Sequence, residues 1–349
     1  MALPGRSTAD VNNYLAFGVQ KEKDTEATTF YFTKHLSGSG YDTESTTSNE
    51  RIGGGGKEIA LVYKTKVTGD GSIVTYAWPD GFARLLSNAL GQDTASQVMA
   101  PASGASAGLT NHQIVANPSG TLPYLTVVQN WADERESVTN ALISDLKIDG
   151  EAGKPVKVTA AFVSGGTPNV HVASQVVARE AGDPLMVPGA SAVFTWAGGG
   201  ASGGTTSQIT KYTLDIKNGL DTAIQTLSLF REDVVFNTID NNLDLTVKYV
   251  NNAAWNEVKY GGGTQVPIKV PTGAFTFFTA QQSSGGSLSA ELKLPFVTIG
   301  NAKVNRLDPD GKTMYIDFTT FTTTNAATAN SVIGNIITTA TLAYTNEKA

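Results

Sequence analysis

A run of glycines before a lysine is the segment that comes closest to a nucleotide-binding motif. Residues 53–56 are all glycine, and Lys57 follows them. A phosphate-binding loop needs a further glycine five positions before its Gly-Lys pair and a magnesium-binding serine or threonine after it. Arg51 and Glu58 occupy those two positions. The sequence therefore does not predict a phosphate site here.

Two Gly-x-Ser-x-Gly matches raise the question of a serine hydrolase. They centre on Ser106 and Ser202. A nucleophile elbow needs a buried strand before the serine and a helix after it, whereas both matches lie in tracts rich in glycine, alanine and serine. The chain has 3 histidines, of which only His171 lies in a strand-like context. A Ser–His–Asp arrangement is therefore poorly supported by the sequence.

An Asp-Pro-Asp-Gly segment at residues 308–311 has part of the spacing of a calcium loop. The first ligand position of that pattern falls on Arg306, whose positive charge does not suit a calcium ligand. A hairpin turn is the better interpretation. The absence of cysteine excludes disulfides and thiolate metal sites. We find no catalytic, cofactor or metal site in the sequence and expect a protein that is not an enzyme.

The composition indicates an all-β protein that carries little charge. Charged residues make up 16% of the 349 residues, against about 25% in typical domains. Abundant glycine, threonine and valine favour short strands joined by glycine-rich turns. The formal net charge is −6 and there is no basic stripe, so strong nucleic-acid binding is not expected. No run of apolar residues is long enough to predict a membrane segment.

The two halves of the chain resemble each other in the order of their predicted elements. Residues 73–78 form a strand-like run that leads into an amphipathic stretch at 82–91, and residues 245–250 lead in the same way into 253–261. Such self-similarity is the signature of repeated structural units. The sequence therefore predicts an all-β chain of two tandem β-sandwich or barrel domains, each with one short flanking helix and a long loop.

Shifts in composition give the boundaries of these units. Residues 1–27 are polar and mixed in charge and are predicted to form an N-terminal arm with one strand-like patch near residues 14–17. The first domain is predicted over residues 28–175 and the second over 176–349. Phe82 and Trp255 hold matching places in the two predicted helices, and we expect each to anchor its helix to its own sandwich.

Segments without hydrophobic periodicity are predicted to be loops. Leu36–Lys57 and Asn218–Arg231 hold matching places in the two halves, and loops of such length are usually functional or disordered. Gly69-Asp70-Gly71 is a strong turn signal and predicts a hairpin. Residues 92–121 are rich in alanine, serine, glycine and asparagine and are also predicted to be a loop.

A specific order of features runs from Phe30 to Gly91. It comprises a strand, a long acidic loop that reaches Glu50 and a glycine turn, a hairpin, and a short helix that ends in Leu-Gly. This order resembles the major tail tube proteins of bacteriophages with long, non-contractile tails. Residues 122–127 (LPYLTV) and 212–221 (YTLDIKNGLD) also look like the two-domain members of that family, which include proteins of Thermus-infecting phages.

The resemblance implies a structural subunit of a hollow tail tube through which DNA is delivered to the host. A chain with two tube domains would close a ring as a trimer with pseudo-sixfold symmetry, because a head-to-tail interface must repeat to close. The implied partners are further copies of the chain, a tape measure protein, a tail terminator and passing DNA that is not bound specifically. A membrane is not among them. The implied location is the virion tail, assembled in the host cytoplasm.

By position, the resemblance also assigns contacts between stacked rings to the two long loops and the N-terminal arm. The loop residues assigned to these contacts are Gly38, Tyr41, Asp42, Glu44, Glu50, Arg51, Leu220, Asp221, Leu227, Phe230 and Arg231.

Two other hypotheses stay open at this point. The chain could instead be a β-sandwich carbohydrate-binding or adhesive protein of a virion or cell surface. Its aromatic residues argue against a sugar-stacking platform, since most stand at the alternating positions expected for core side chains. A hydrolase that uses Ser106 or Ser202 is the third and weakest hypothesis.

Overall fold

The structure is a computed structural model. The described residues are 14–33, 35–37, 39–50, 61–93, 97–98, 110–117, 121–131, 134–166, 168–170, 176–178, 191–197, 204–206, 208–222, 231, 234–248, 272–283, 286–305, 315–322 and 332–338.

Within these residues the chain forms twenty strands and one helix, which confirms the predicted all-β class. The helix α1 spans Pro79–Leu90. The strands are β1 (Tyr14–Val19), β2 (Thr29–Thr33), β3 (Gly40–Glu50), β4 (Leu61–Tyr76), β5 (Gly91–Asp93), β6 (Gln97–Val98), β7 (Thr110–Ala116), β8 (Leu125–Trp131), β9 (Glu134–Glu151), β10 (Lys157–Ser164), β11 (Pro168–Val170), β12 (Val176–Ala178), β13 (Ser191–Ala197), β14 (Gly204–Thr206), β15 (Ile209–Asp221), β16 (Val235–Lys248), β17 (Thr272–Ser283), β18 (Gly286–Asn305), β19 (Tyr315–Thr322) and β20 (Ile333–Thr338).

The order in which strands pair is the same in the two halves of the chain. In the first half the order is β3–β4–β10–β9–β8–β1, and every pair is antiparallel. In the second half the order is β15–β16–β19–β18–β17–β13, again with every pair antiparallel. The similarity that the sequence shows in element order therefore extends to sheet topology.

Two β-bulges also fall at matching places. Ser144 is an extra residue of β9 that interrupts the register with β10. Gly300 is the extra residue of β18 and interrupts the register with β19 in the same way. A second bulge shifts the register of β3 with β4, and its counterpart shifts that of β15 with β16. Since a bulge is a specific local feature of a ladder, these matches set the two halves in register residue by residue.

Strand pairing also joins the two halves to each other. β9 pairs with β15, β7 pairs with β20, and β2 pairs in parallel with β12. Core residues of both halves belong to one buried cluster, including Leu146 of β9 and Ile216 of β15. The predicted division into domains 28–175 and 176–349 is not tested by these pairings and stays a prediction.

Helix α1 ends where the sequence predicts and begins at Pro79, three residues before the amphipathic stretch predicted over 82–91. Proline occupies its first turn, where the missing N–H is not needed. It ends at Gly91, which has a φ of 85° and donates its N–H to the carbonyl of Ser87. Phe82 is fully buried on this helix. The helix contacts β7, β9, β18 and β20, and Gly334 of β20 lets Leu86 approach closely because a Cβ there would lie 2.5 Å from the Leu86 side chain.

Parts of all three segments predicted as loops are strands, so the loop predictions are wrong for these residues. Residues 40–50 form β3, residues 218–221 end β15, and residues 110–116 form β7. The threonines and serines of β3 fit an extended strand well, but they do not alternate with apolar residues. Loop prediction failed because pairing with β4 supplies the stabilisation that a periodic apolar face supplies elsewhere.

The predicted hairpin turn at Gly69-Asp70-Gly71 is also wrong, since these residues lie inside the continuous strand β4. Gly71 stands opposite Tyr41 of β3, and a Cβ on Gly71 would lie 2.5 Å from the Tyr41 Cβ. The glycine therefore makes room for a cross-strand tyrosine and does not form a turn.

The segment predicted as an N-terminal arm contains a strand of the sheet. Residues 14–19 of the segment 1–27 form β1, which lies between β2 and β8. Leu15 and Phe17 of this strand are buried in the main core. Phe17 has its counterpart in Phe194 of β13, which is buried at the matching register position.

Candidate interaction surface

The junction between β9 and β15 joins the two copies within one chain. Its two faces differ sharply in chemistry. The buried face pairs Tyr212 with Gly150, Leu214 with Ile148 and Ile216 with Leu146. The other face pairs Lys211 with Glu151, Thr213 with Asp149, Asp215 with Lys147 and Lys217 with Asp145. No like charges stand directly opposite each other, so both faces of this junction favour the observed register.

Specific contacts hold that register in place. The Thr213 hydroxyl donates a hydrogen bond of 2.8 Å to the Asp149 carboxylate. The ring of Tyr212 lies over Gly150, where a Cβ would approach the ring to 2.2 Å. Burial raises the pKa of Tyr212, and burial also raises the pKa of Asp215, although Lys147 and Lys217 oppose that shift. The junction is therefore well packed on one face and electrostatically complementary on the other.

Each half also has a strand edge that lacks the partner its counterpart has. Among the described strands, β3 pairs only with β4, whereas its counterpart β15 pairs with both β16 and β9. Residues 301–305 of β18 likewise pair only with β19 among the described strands, whereas the matching residues 145–149 of β9 pair with both β10 and β15. Open edges of this kind favour pairing with another chain.

A side-chain amide covers the start of the β3 edge. Tyr41 donates its N–H to the Gln129 Oε1 at 2.9 Å, and the Gln129 Nε2 donates to the Tyr41 carbonyl at 3.3 Å. Both side chains are buried. A facing residue of an antiparallel strand exchanges the same two hydrogen bonds with the backbone. Gln129 thus satisfies the two backbone groups that a neighbouring strand would otherwise bind.

A buried arginine ties the second half to the first. Arg231 is 4% exposed, and its Nη1 donates to the Asp70 carboxylate at 3.0 Å and to the Ser164 carbonyl at 3.0 Å. Asp70 also accepts a hydrogen bond from the Ser164 N–H. A charge this deeply buried must be paired to be tolerated, so Asp70 neutralises Arg231 at this contact.

A buried asparagine makes a second contact between the halves. Asn218 of β15 donates from Nδ2 to the carbonyl of Ala89 in α1 and to the carbonyl of Ile143 in β9, both at 2.8 Å. The Ala89 carbonyl lies in the last turn of the helix, where carbonyls lack intrahelical partners. Asn218 therefore fixes the end of α1 against the junction.

The predicted contact residues differ in burial where the structure describes their side chains. Tyr41 and Arg231 are buried, Leu220 is half-buried and Asp221 is exposed. Asp42, Glu44 and Glu50 are positions of the strand β3. The residues that lie outside the described part of the chain are Gly38, Arg51, Leu227, Phe230, Trp255, Ser106, Ser202 and His171. The assignment to contacts between rings stays a prediction.

Several residues that make specific contacts in the structure carry little signal in the sequence. Gln129 and Lys303 lie in ordinary strand sequence and belong to no motif, and Asp70 lies in a turn signal that predicts a hairpin and not a contact with Arg231. The only sequence signal for Lys303 is its match to Lys147 in the repeat. That match becomes visible once the bulges align the two halves.

Comparison with known proteins found no matching family model and no matching curated relative. Within the described residues, no cluster of histidine and carboxylate side chains has the arrangement of a metal site. No helix in that part of the chain has the length and apolar character needed to cross a membrane.

Proposed function

We propose that this chain is a structural subunit that polymerises into stacked rings and forms the hollow tail tube of a bacteriophage. The observation that carries the proposal is the β9–β15 junction, which joins two equivalent sheets side by side within one chain. The same two strand types recur at β18 and β3 with one edge each still open among the described strands. A chain built in this way carries complementary edges for a head-to-tail assembly.

Head-to-tail contacts between identical subunits give either closed rings or open helical filaments. Three chains, each with two equivalent sheets, would give six units around a ring. The resemblance to two-domain tail tube proteins favours this closed form. In the proposed tube, the rings stack through residues 45–50 of β3, through Asn218–Arg231 and through the N-terminal arm. Residues 40–44 of β3 remain for pairing with the next chain.

The charge of the chain suits a conduit for DNA. The formal net charge is −6, and like charge lowers the affinity for phosphate. DNA would pass without specific contacts. The tape measure and the tail terminator would be the protein partners, and the assembled virion tail would be the location of the chain.

Electron microscopy of the purified chain over a range of concentrations tests the proposal. We expect tubes or stacked rings with threefold symmetry at high concentration, because a higher concentration of chains favours their association through the open strand edges. A chain that stays monomeric at every concentration and binds glycans on an array would overturn the proposal and support the carbohydrate-binding alternative. Ser106→Ala and Ser202→Ala serve as control variants that should assemble like the unmodified chain.

A further inference from the structure

We infer that residues 301–305 of β18 in one chain pair antiparallel with residues 40–44 of β3 in the next chain, with Lys303 opposite Asp42. The partner is a second copy of this chain, and the inference rests on the proposed function. It specifies which edges meet and in which register. The β9–β15 junction within the chain is the template for this pairing.

The bulges fix the match between β9 and β18. Lys147 of β9 pairs with Thr159 of β10, and Thr159 lies two residues before Ala161, the last pair before the shift in register. Lys303 of β18 pairs with Asp317 of β19, and Asp317 likewise lies two residues before Thr319, the last pair before the corresponding shift. Lys147 and Lys303 therefore hold equivalent positions in the two halves.

The same method matches β3 with β15. Asp42 pairs with Asp70 of β4 and lies five residues before Thr47, the first pair beyond the bulge. Asp215 pairs with Asn242 of β16 and lies five residues before the corresponding pair. Because Asp215 stands opposite Lys147 within the chain, the equivalent pairing between chains places Asp42 opposite Lys303.

The residue types agree with this register on both faces. One face would pair the polar and charged residues, and the other would pair Tyr41 with Val304 and Thr43 with Ala302. Lys303 is exposed in the described structure. No like charges meet, as in the template. The pairs on the polar face would be Gly40 with Asn305, Asp42 with Lys303 and Glu44 with Asn301.

Gln129 marks the place where the incoming strand binds. Its side-chain amide makes the two hydrogen bonds to the Tyr41 backbone that Val304 of the next chain would make in the inferred register. Pairing therefore replaces the side-chain amide of Gln129 with the backbone of Val304, and the backbone N–H and carbonyl of Tyr41 remain hydrogen-bonded. Hydrogen-bonded and non-hydrogen-bonded pairs alternate along such a ladder, so Asp42 and Lys303 form a close, non-hydrogen-bonded pair.

The sequence before β17 does not favour a competing partner for this edge of β18. Pro267 and Pro271 precede the first residue of β17. Proline has no N–H to donate to a ladder and is disfavoured inside a paired strand.

Engineered cysteines can test the register directly because the chain has no cysteine of its own. We would prepare Asp42→Cys and Lys303→Cys as separate single variants, assemble them as a mixture, oxidise the particles and separate the products without reductant. We expect a disulfide-linked dimer from the mixture and little from either variant alone, because cross-strand positions in a close pair have the separation that a disulfide needs.

Two matched controls calibrate the result. The pair Asp215→Cys with Lys147→Cys in one chain reproduces the template and should form a disulfide within a monomer. A mixture of Asp42→Cys and Val304→Cys places the two thiols on opposite faces of the ladder and should not cross-link. Circular dichroism of each variant before assembly confirms that the strands are intact.

The outcomes separate the register from the proposed function. Tubes that form normally while the Asp42→Cys and Lys303→Cys mixture yields no dimer would overturn the inferred register and leave the tube proposal standing. Cross-linking of the opposite-face control at a comparable yield would also overturn the register. Variants and unmodified chain that all remain monomeric would overturn both proposals together.

Discussion

Asp70 and Arg231 show how a single side chain can connect distant parts of this chain. The guanidinium of Arg231 is buried, whereas the side chain of Asp70 is 42% exposed. Loss of Asp70 would leave the buried guanidinium with the Ser164 carbonyl as its remaining hydrogen-bond acceptor among the described residues. Breaking a buried pair costs about 3–5 kcal/mol, and the exposure of Asp70 reduces that figure.

We therefore expect Asp70→Ala to lower the free energy of unfolding by about 2 kcal/mol, because it removes the partner of a buried charge. Asp240→Ala is a matched control at an exposed strand position of β16 and should change stability by less than about 0.5 kcal/mol. The midpoints of urea unfolding measure both effects. Equal effects of the two substitutions would show that the contact with Arg231 does not stabilise the fold.

Asp215 gives a prediction about pH. Burial raises its pKa in the folded chain and, together with the negative charges of Asp149 and Asp244, outweighs the attraction of Lys147 and Lys217. A carboxyl group with a raised pKa favours the folded state when protonated, and that contribution is lost as the pH rises through the folded pKa. Asp215→Asn should therefore stabilise the folded chain and raise its melting temperature at pH 7. The gain in the free energy of unfolding should be below about 0.5 kcal/mol, because the site is partly exposed.

The difference between Asp215→Asn and the unmodified chain should vanish below about pH 4, the ordinary pKa of an aspartate. Melting temperatures measured between about pH 3 and pH 7 test this dependence. A stabilisation of equal size at both ends of the range would contradict the assigned titration.

At the scale of the elements, local signals predicted α1 well and β3 badly. The amphipathic stretch before Gly91 contains the information for a helix and its end. Residues 40–50 carry no alternating apolar pattern, and their strand depends on pairing with β4. The β9–β15 junction was also missed, because its partners are far apart in the sequence and each strand reads as an ordinary one. Only the repeat itself was visible beforehand.

Gln129 makes the β3 edge testable as an assembly site. Gln129→Met removes the amide that binds the Tyr41 backbone and keeps a side chain of similar length. The isolated chain should lose about 1–2 kcal/mol of stability, because buried backbone groups become unsatisfied. If the Gln129 amide occupies the backbone groups that an incoming strand must bind, the Gln129→Met chain should assemble after a shorter lag than the unmodified chain, as measured by light scattering.

The control for the edge is Asn111→Leu, a change from an amide to an apolar side chain of similar size at an exposed position of β7, which should alter neither stability nor lag. A destabilised Gln129→Met chain with an unchanged lag would mean that the amide only supports the fold of the first half. The two readouts therefore distinguish an edge that assembly uses from one that is merely covered.

Charge exchange tests the same edge from both sides. Asp42→Lys should block assembly, because it places a lysine opposite Lys303 in the inferred register, and like charges directly opposite each other destabilise a strand pair. Lys303→Asp should block it in the same way. The double exchange restores an opposite-charge pair and should recover tubes in electron micrographs. If the double exchange fails to recover tubes, the pairing of these two positions is contradicted.

At the scale of the whole molecule, the duplicated topology turns one junction into a rule for assembly. The chain contains one copy of the junction internally and carries the two halves of a second copy at β3 and β18. Such an arrangement makes each added chain extend the same circular or helical path. Whether the path closes into a ring depends on the rotation between neighbouring sheets at each junction. We expect this rotation to be the same between chains as at the β9–β15 junction within the chain.

A chain that carries both Asp42→Cys and Lys303→Cys reports on closure by the size of its largest product. In a ring of three, oxidation joins neighbours until the third disulfide closes the circle, so covalent products should stop at the trimer. An open helical filament has no such limit, because every chain has a further neighbour along the same path. Mass measurement under denaturing, non-reducing conditions resolves the two cases. Products that continue well beyond the trimer would refute a closed ring of three chains and favour a helical path through the same strand pairing.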